Sequence, residues 1–348
     1  MLDTTRFQAE RSVADGVAGP LLSSTLTLVQ NRLRVAGRRT STQTQYMDDA
    51  TAFIAWFEAT WNRDPVVADL TVRNTDEYLL ARESAADGRG APWSAGTIGH
   101  YQANLRAFAG HLADACALPD NPLATKSAKA AKRPTRGRAE RIGDGLLDQE
   151  FLAVFAGLDP AGPYDVITRG IVALGYEVGP RTSELVMLDV ADYRIAMVEG
   201  LELGPVIALR RPAKTSPART LPLGVRADDY IREAIGNRTS GPLFPGRDGR
   251  QMTVRAMRDR LSRAGKRAGL ILHPQRLRRT AASWQGAYGA TSGHLDRVFG
   301  WEPDPRDVKS GHYIIPTVPQ LLHAHQERLS PLDRLELRLT SKGRGPLR

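Results

Sequence analysis

A basic segment with helix-breaking residues divides this chain into two parts, and each part must build a core of its own. From Lys126 to Arg141, seven lysines and arginines stand against one acid, Glu140, and Pro134 and Gly137 interrupt any helix. With 348 residues, the chain is long enough for two separate domains. The sequence therefore predicts a linker over residues 121–145, whose cations either contact phosphates or are simply solvated.

The part before the linker has the apolar spacing of helices. Tyr46, Phe53 and Phe57 fall on one face of a predicted helix, and three further stretches repeat the pattern. Four helices of this kind form a compact bundle. We expect this bundle over residues 23–120, after an N-terminal extension over residues 1–22.

The part after the linker is mixed α/β. Two short strand patterns, at 206–209 and 220–223, lie between helical stretches. A helix that begins at Thr253 has an apolar side and a basic side, and the basic side bears Arg255, Arg258, Arg260, Arg263, Lys266 and Arg267. So much charge of one sign favours binding to a DNA backbone over simple solvation. The predicted fold is mainly α with a small β-sheet: a four-helix domain, then a mixed α/β domain over residues 146–330 and a tail over residues 331–348.

Charge and cysteine content restrict the partners and the compartment. Lysine and arginine exceed aspartate and glutamate by 48 to 38, which gives a net charge of +10 and favours a polyanionic partner such as nucleic acid, although a solvated basic surface explains the charge equally well. The single cysteine, Cys116, excludes an intrachain disulfide and indicates a reducing compartment. The chain has no signal-peptide pattern and no run near the roughly 20 apolar residues of a membrane span. The sequence predicts a cytoplasmic protein with no membrane partner.

Residues of the second domain suit the cleavage of a phosphodiester by an oxygen nucleophile. Arg181 and Arg278 supply guanidinium groups, which are permanently charged and can donate two parallel hydrogen bonds to a phosphate. Lys214 can protonate a leaving oxygen, and Tyr313 supplies a phenol that can attack phosphorus. Each residue taken alone is ordinary. As an ordered set they resemble the active site of the tyrosine recombinases, the phage integrase family that includes the Cre and Xer enzymes.

The resemblance is closest around the second arginine, and it also departs there. Residues 274–280 correspond to a family box that usually reads Pro-His-x-Leu-Arg-His-Thr, with Gln275 at the first histidine position and Arg279 at the second. Gln275 can hydrogen-bond a phosphate oxygen, but it cannot exchange a proton near neutral pH as imidazole can. We expect slower cleavage, or proton transfer by another group. The neighbouring His273 is one candidate, but a surface histidine with local hydrogen bonds is the better interpretation of that residue.

The same resemblance assigns the remaining positions of the site. Glu184 would brace the site, and Trp301 would donate its indole N–H to the phosphate; Tyr313 follows Trp301 by 12 residues (313 minus 301), slightly more than the family norm. The predicted catalytic set is Arg181, Lys214, Arg278, Trp301, Tyr313, Glu184 and Gln275. The predicted DNA-binding residues are Lys126, Lys129, Lys132, Arg133, Arg136, Arg258, Arg263 and Arg279.

The resemblance implies a site-specific recombinase that cleaves and rejoins double-stranded DNA through a 3′-phosphotyrosine, without metal, cofactor or ATP. It further implies a homotetramer on two DNA sites, an accessory directionality factor, and work in the cytoplasm at the nucleoid. The stretch 318–329 would form a helix that docks on a neighbouring protomer or packs back on its own domain. Two rival interpretations are a type IB topoisomerase that relaxes supercoils and a DNA-binding accessory protein with a decayed active site, which Gln275 and the longer interval before Tyr313 would suit.

Overall fold

The computed structural model describes residues 19–85, 93–115, 117–124, 145–210, 218–301 and 316–341. The chain divides into two compact units, Met1–Glu140 and Arg141–Arg348. The described residues are mostly helical with one small antiparallel sheet, so the predicted fold class is confirmed. None of the helices described is both long enough and apolar enough to cross a bilayer.

The first unit is a helical bundle. Its described α-helices are α1 (Leu26–Val35), α2 (Thr40–Trp61), α3 (Val72–Ser84) and α4 (Ala95–Asp114). Phe53 and Phe57 of α2 are buried with Tyr78 of α3 and with Phe108 of α4. The Phe53 and Tyr78 rings meet edge to face with centroids 5.5 Å apart, an arrangement that aromatic pairs prefer. The apolar spacing of the sequence therefore builds this core.

The second unit contains the sheet and the remaining described helices. The helices are α5 (Asp148–Ala156), α6 (Pro163–Glu177), α7 (Thr182–Met187), α8 (Val225–Ile235), α9 (Val254–Arg267), α10 (Pro274–Ala287), α11 (Ser292–Phe299), α12 (Val318–Ala324) and α13 (Pro331–Ser341). The strands are β1 (Tyr193–Val198), β2 (Leu201–Leu209) and β3 (Arg219–Pro222). Helix α6 is central, because every residue from Ile171 to Glu177 is buried.

The sheet is antiparallel in the order β1-β2-β3. Tyr193 of β1 pairs with Ile207 of β2, and Leu209 of β2 pairs with Arg219 of β3. Strands β2 and β3 include most of the two predicted strand patterns. The sequence does not predict β1, whose residues are half-buried or exposed and lack a regular buried alternation.

The prediction of a tail from residue 331 is wrong in its first part. Residues Pro331–Ser341 form α13, and its Leu332 and Leu335 are buried in the core of the second unit. The fully buried Glu177 holds this segment in place: its carboxylate accepts from Leu332 N at 3.2 Å and lies 2.7 Å from His325 Nε2. The C-terminal helices in this structure therefore pack on their own unit rather than project from it.

Candidate active site

A tight turn after α6 packs Gly179 against the backbone of Arg278, two residues before Arg181. Gly179 has φ +52°, and a Cβ at this position would lie 2.7 Å from Cα of Arg278. Only glycine tolerates both the left-handed backbone and this close approach. Pro180 then leads to Arg181, which has extended backbone angles and is the N-cap of α7.

The spacing between Arg181 and Glu184 has a local cause. The Glu184 carboxylate accepts a hydrogen bond from Arg181 N at 2.7 Å. A glutamate three residues after the N-cap commonly satisfies that backbone N–H. This contact fixes Glu184 against the start of α7 before any longer-range contact is considered.

Arg181 and Arg278 meet at one backbone carbonyl. Arg181 Nη1 donates to Phe299 O at 3.3 Å, and Arg278 Nη2 donates to the same oxygen. Arg181 also donates to Gly300 O at 3.1 Å, and Arg278 Nη1 donates to Gly179 O at 2.7 Å. The two guanidinium groups, which are 97 residues apart in sequence (278 minus 181), therefore lie side by side.

The two arginines differ in their environment. Arg278 is buried, whereas the side chain of Arg181 is 26% exposed. Burial first, and then the positive charge of Arg181, lower the pKa of Arg278 to about 10, so the guanidinium stays charged at neutral pH. Two adjacent cations favour the binding of an anion between or beside them.

A third arginine, Arg219, completes the base of the site, and the sequence did not predict it. Its Nη1 and Nη2 donate to the two carboxylate oxygens of Glu184 at 2.8 and 2.9 Å, and its Nε donates to Val298 O at 2.9 Å. Both side chains are almost completely buried. Burial alone would raise the pKa of Glu184, but the hydrogen bonds and charge of Arg219 hold it below its ordinary value. The sequence did contain a signal for this residue. Residues two apart in a strand point to the same side, so Arg219 of β3 points to the same side as the buried, apolar Leu221.

The end of α11 joins these groups to Trp301. Gly300 caps the helix with φ +58°, and the Trp301 ring stacks on the Phe299 ring with centroids 5.1 Å apart and an interplanar angle of 22°. The guanidinium carbon of Arg278 lies 5.2 Å from the same Phe299 ring. Trp301 remains 42% exposed, so part of this residue is accessible from solvent.

Gln275 lies in the first turn of α10, one turn before Arg278. Its side chain is exposed and lines an open cavity of about 430 Å³ together with Thr182 and Arg258. His273 caps this helix: its Nδ1 accepts from Arg276 N at 3.1 Å. The cavity is thus bounded by α7, α9 and α10, beside Arg181.

Sequence comparison shows which family the chain belongs to. The phage integrase family matches residues 147–305. The tyrosine recombinase XerC of Chromohalobacter salexigens is 30% identical over 249 residues, which cover 68% of this chain and 74% of that protein. The chain belongs to the phage integrase family of tyrosine recombinases.

Other relatives of this chain match over shorter or more divergent spans. XerC of Azotobacter vinelandii is 33% identical over 152 residues, so the alignment covers 42% of this chain and less than half, 44%, of that protein. XerD of Vibrio vulnificus is 25% identical over 310 residues, which cover 85% of this chain and 89% of that protein. Among solved structures, a lambda integrase tetramer bound to a Holliday junction aligns with TM-score 0.60 at 16% identity, over 87% of this chain and 81% of that chain. At this identity the structural match shows the fold alone.

Five of the six basic residues predicted on one side of α9 are exposed: Arg255, Arg258, Arg263, Lys266 and Arg267. Arg258 lies beside Gln275 in the cavity next to Arg181, whereas Arg263 donates to the Tyr164 hydroxyl at 2.8 Å on another side of the helix. Arg260 is buried, and Arg267 pairs with Asp165 at 2.6 Å. Burial therefore removes only Arg260 from the predicted basic side, and the binding of the other five residues to a DNA backbone remains a prediction. Arg279, on α10, is exposed.

Several predicted residues cannot be placed. Lys214 and Tyr313 lie outside the described residues, and so do the linker residues Lys126, Lys129, Lys132, Arg133 and Arg136. Their assignments remain predictions. The structure brings together Arg181, Glu184, Arg278 and Trp301, with Gln275 and Arg258 in the adjoining cavity.

Proposed function

We propose that this recombinase cleaves and rejoins double-stranded DNA at a specific site, with Tyr313 as the nucleophile. The observation that carries the proposal is the meeting of Arg181 and Arg278 at the Phe299 carbonyl. Both are guanidinium groups with five N–H donors in a rigid fork, which matches the oxygens of a phosphate. A scissile phosphodiester beside them would gain two cationic partners as negative charge builds up in the transition state.

The buried pair below the site supports this role for Arg181. The Glu184 carboxylate binds both Arg181 N and Arg219, so the start of α7 is fixed by a charged contact that solvent cannot reach. Preorganised donors stabilise a transition state better than donors that must first move. Glu184 and Arg219 are in this proposal positioning residues, while Arg181 and Arg278 touch the phosphate.

The chemistry proceeds in two balanced steps. Tyr313 attacks phosphorus as the phenolate, the bond to the 5′ oxygen breaks, and Lys214 gives that oxygen a proton. The product is a 3′-phosphotyrosine and a free 5′ hydroxyl. The 5′ hydroxyl of another strand then returns a proton to Lys214 as it attacks the phosphotyrosine, and Tyr313 leaves as the phenolate. Because the phosphotyrosine conserves the free energy of the broken bond, the exchange needs no ATP. In this proposal the two arginines, rather than a metal, stabilise the charge on the phosphate. Trp301 and Gln275 would hydrogen-bond the phosphate.

The proposed partners follow from the charge distribution and from the relatives. Arg258 and Arg279 are exposed on α9 and α10 and would contact DNA phosphates, as would the basic residues of the linker. A relative in the lambda integrase fold is a tetramer bound to a Holliday junction, and we propose a homotetramer on two DNA sites here. An accessory directionality factor and work at the nucleoid in the cytoplasm belong to the same proposal.

A nicked suicide duplex tests the nucleophile. The duplex carries the binding site, mapped beforehand by footprinting, and a nick that lets the cleaved end diffuse away, so a covalent protein–DNA adduct accumulates on a denaturing gel. We expect an adduct with the native protein and none with Tyr313→Phe. Tyr230→Phe is the matched control, since Tyr230 is a buried core residue of α8 whose hydroxyl has no hydrogen-bond partner among the described residues. An adduct that survives Tyr313→Phe would refute the assignment.

A plasmid with two copies of the mapped site separates recombination from relaxation. We expect exchange between the two sites and a product of altered size after restriction. Relaxed plasmid without exchange would instead favour the topoisomerase interpretation, and binding without adduct or exchange would favour the accessory protein.

A further inference from the structure

A second group of arginines surrounds Tyr164, away from Arg181 and Arg278. Tyr164 lies in the first turn of α6, Arg247 in the loop between α8 and α9, and Arg260 and Arg263 on α9. Together these four residues line an open cavity of about 370 Å³, which we call the Tyr164 cleft.

The arginines of the Tyr164 cleft share one aromatic ring. The guanidinium carbons of Arg260 and Arg247 lie 3.8 and 4.7 Å from the centroid of the Tyr164 ring. Arg263 Nη2 donates to the Tyr164 hydroxyl at 2.8 Å. Three positive charges are thus gathered around a single neutral side chain.

Arg260 lacks the partners that a buried guanidinium requires. The residue is 2% exposed, and its Nε and Nη1 have no hydrogen-bond acceptor in the described part of the chain. Buried donors without an acceptor cost free energy, and a buried charge without a counter-charge costs more. An anion with hydrogen-bond acceptors would supply both the acceptor and the counter-charge, which the Tyr164 ring does not provide in full.

The acids of the second unit do not supply that anion within the described residues. None of the carboxylates there forms an ion pair with Arg247, Arg260 or Arg263, and the neighbouring Asp165 is already bound by Arg267 at 2.6 Å. The cleft also favours negative oxygen: burial alone would raise the pKa of Tyr164, but the hydrogen bond from Arg263 and the charges of Arg260 and Arg263 hold it below its ordinary value.

The cleft is on a different side of α9 from the cavity beside Arg181. An α-helix turns about 100° per residue, so Arg258 and Arg260 are about 160° apart around the helix axis. Arg258 lines the cavity with Gln275, while Arg260 and Arg263 line the Tyr164 cleft. A ligand in the cleft would therefore not be the scissile phosphate.

We propose that the Tyr164 cleft binds one phosphate group. Guanidinium forks match phosphate oxygens in geometry, and three positive charges suit a phosphate better than a singly charged carboxylate. Two sources offer this chemistry: free inorganic phosphate, including that of a small phosphorylated molecule, and a backbone phosphate of DNA outside the cleaved position.

Titration calorimetry of the full chain with inorganic phosphate, in low-salt buffer without other multivalent anions, tests the first source. We expect Arg247→Gln and Arg263→Gln each to weaken phosphate binding about tenfold or more, because a hydrogen bond to a charged group is worth at least that factor. Arg263→Lys should recover part of the loss, since a lysine still supplies a point charge. Arg232→Gln is the matched control: it removes an exposed arginine of the same unit that pairs with Asp228 and should bind phosphate as the native protein does.

The salt dependence of binding to a duplex tests the second source. If a DNA phosphate occupies the cleft, Arg247→Gln and Arg263→Gln should each reduce the slope of log K against log salt by about one, whereas Arg232→Gln should not. Loss of phosphate binding with an unchanged slope would identify free phosphate as the ligand. Neither a phosphate effect nor a slope effect of the two variants would overturn the proposal. Neither measurement uses DNA cleavage, so failure here is distinct from failure of the Tyr313 assignment.

Discussion

The ion pair between Glu184 and Arg219 allows a strict test of how the active site is held. Substitution Arg219→Met keeps an unbranched side chain of similar length but removes both hydrogen bonds to Glu184, at 2.8 and 2.9 Å. The two side chains are 1% and 2% exposed, so the carboxylate would be left buried with its main counter-charge gone. Breaking such a pair costs about 3 to 5 kcal/mol of unfolding free energy.

The pKa of Glu184 determines how the stability loss of this variant changes with pH. In the native protein the pKa of Glu184 is lowered, in spite of burial, by Arg219, so its stabilising contribution is present above the unfolded pKa of about 4.3 and is lost as pH falls through the folded pKa. In Arg219→Met, burial outweighs the remaining partners and raises that pKa. The variant should then be more stable with Glu184 protonated. The difference in unfolding free energy between the native protein and the variant should therefore become smaller from pH 7 toward pH 4.

Urea unfolding, monitored by hydrogen exchange and mass spectrometry, measures the loss of unfolding free energy in α7 and β3 separately from the helical unit. The double variant Glu184→Gln, Arg219→Met should cost much less than the sum of the single variants, because it removes both charges. Arg232→Met is the control: Arg232 is 57% exposed in its pair with Asp228, and exposed pairs are worth about 0 to 1 kcal/mol. A deficit for Arg219→Met as small as that of the control, or one that does not change with pH, would refute the reasoning.

Three further substitutions test other parts of the unit. Gly179→Ala should destabilise it by about 1 to 3 kcal/mol more than Gly269→Ala in thermal and urea unfolding, since both glycines have positive φ but only a Cβ at Gly179 would collide with Arg278, at 2.7 Å; equal losses would contradict the contact. Gln275→His should raise the rate of adduct formation at least about tenfold and make it depend on pH near 6.5, because imidazole can transfer a proton; an unchanged rate and profile would show that proton transfer there is not limiting. Burial, and then the charge of a neighbouring histidine, lower the pKa of His294 to about 3. Below pH 6.5 the unfolded chain therefore binds a proton at this histidine before the folded chain does, and the free energy of unfolding should fall by up to about 1.4 kcal/mol per pH unit. His294→Gln should reduce the dependence of unfolding free energy on pH, and the same dependence in variant and native protein would contradict this prediction.

Much of the fold is readable in the sequence where the signal is local. The apolar spacing that places Phe53 and Phe57 on one face predicts α2 before any contact is known, and the observed helix buries both. Helix α13 is the opposite case. Its Leu332, Leu335 and Leu339 recur at three and four residues, but the charged residues between them and the short span resemble a polar tail. Its burial depends on Glu177, more than 150 residues earlier.

The candidate site also contains features that the local sequence predicts and features that it does not. The interval between Arg181 and Glu184 follows from a single helical turn, in which a carboxylate three residues on reaches the N-cap. Arg219 was missed because its partner is 35 residues away, and a buried arginine is unexpected at an apolar position of a strand. The burial of Arg260 on the basic side of α9 was not predicted, because sequence spacing counts charges but does not show which of them a neighbouring helix covers.

Sequence alone determined the ordered set of cationic, acidic and aromatic residues, the helical class and the division into two units, since these depend on composition and on contacts within a few residues. Only the tertiary structure decided that Arg181 and Arg278 share the Phe299 carbonyl, 118 and 21 residues away from them, and that Arg260 is buried beside Tyr164. The physical reason is that such contacts gain their free energy from burial and packing of distant segments, and neighbouring residues in the chain carry no record of them.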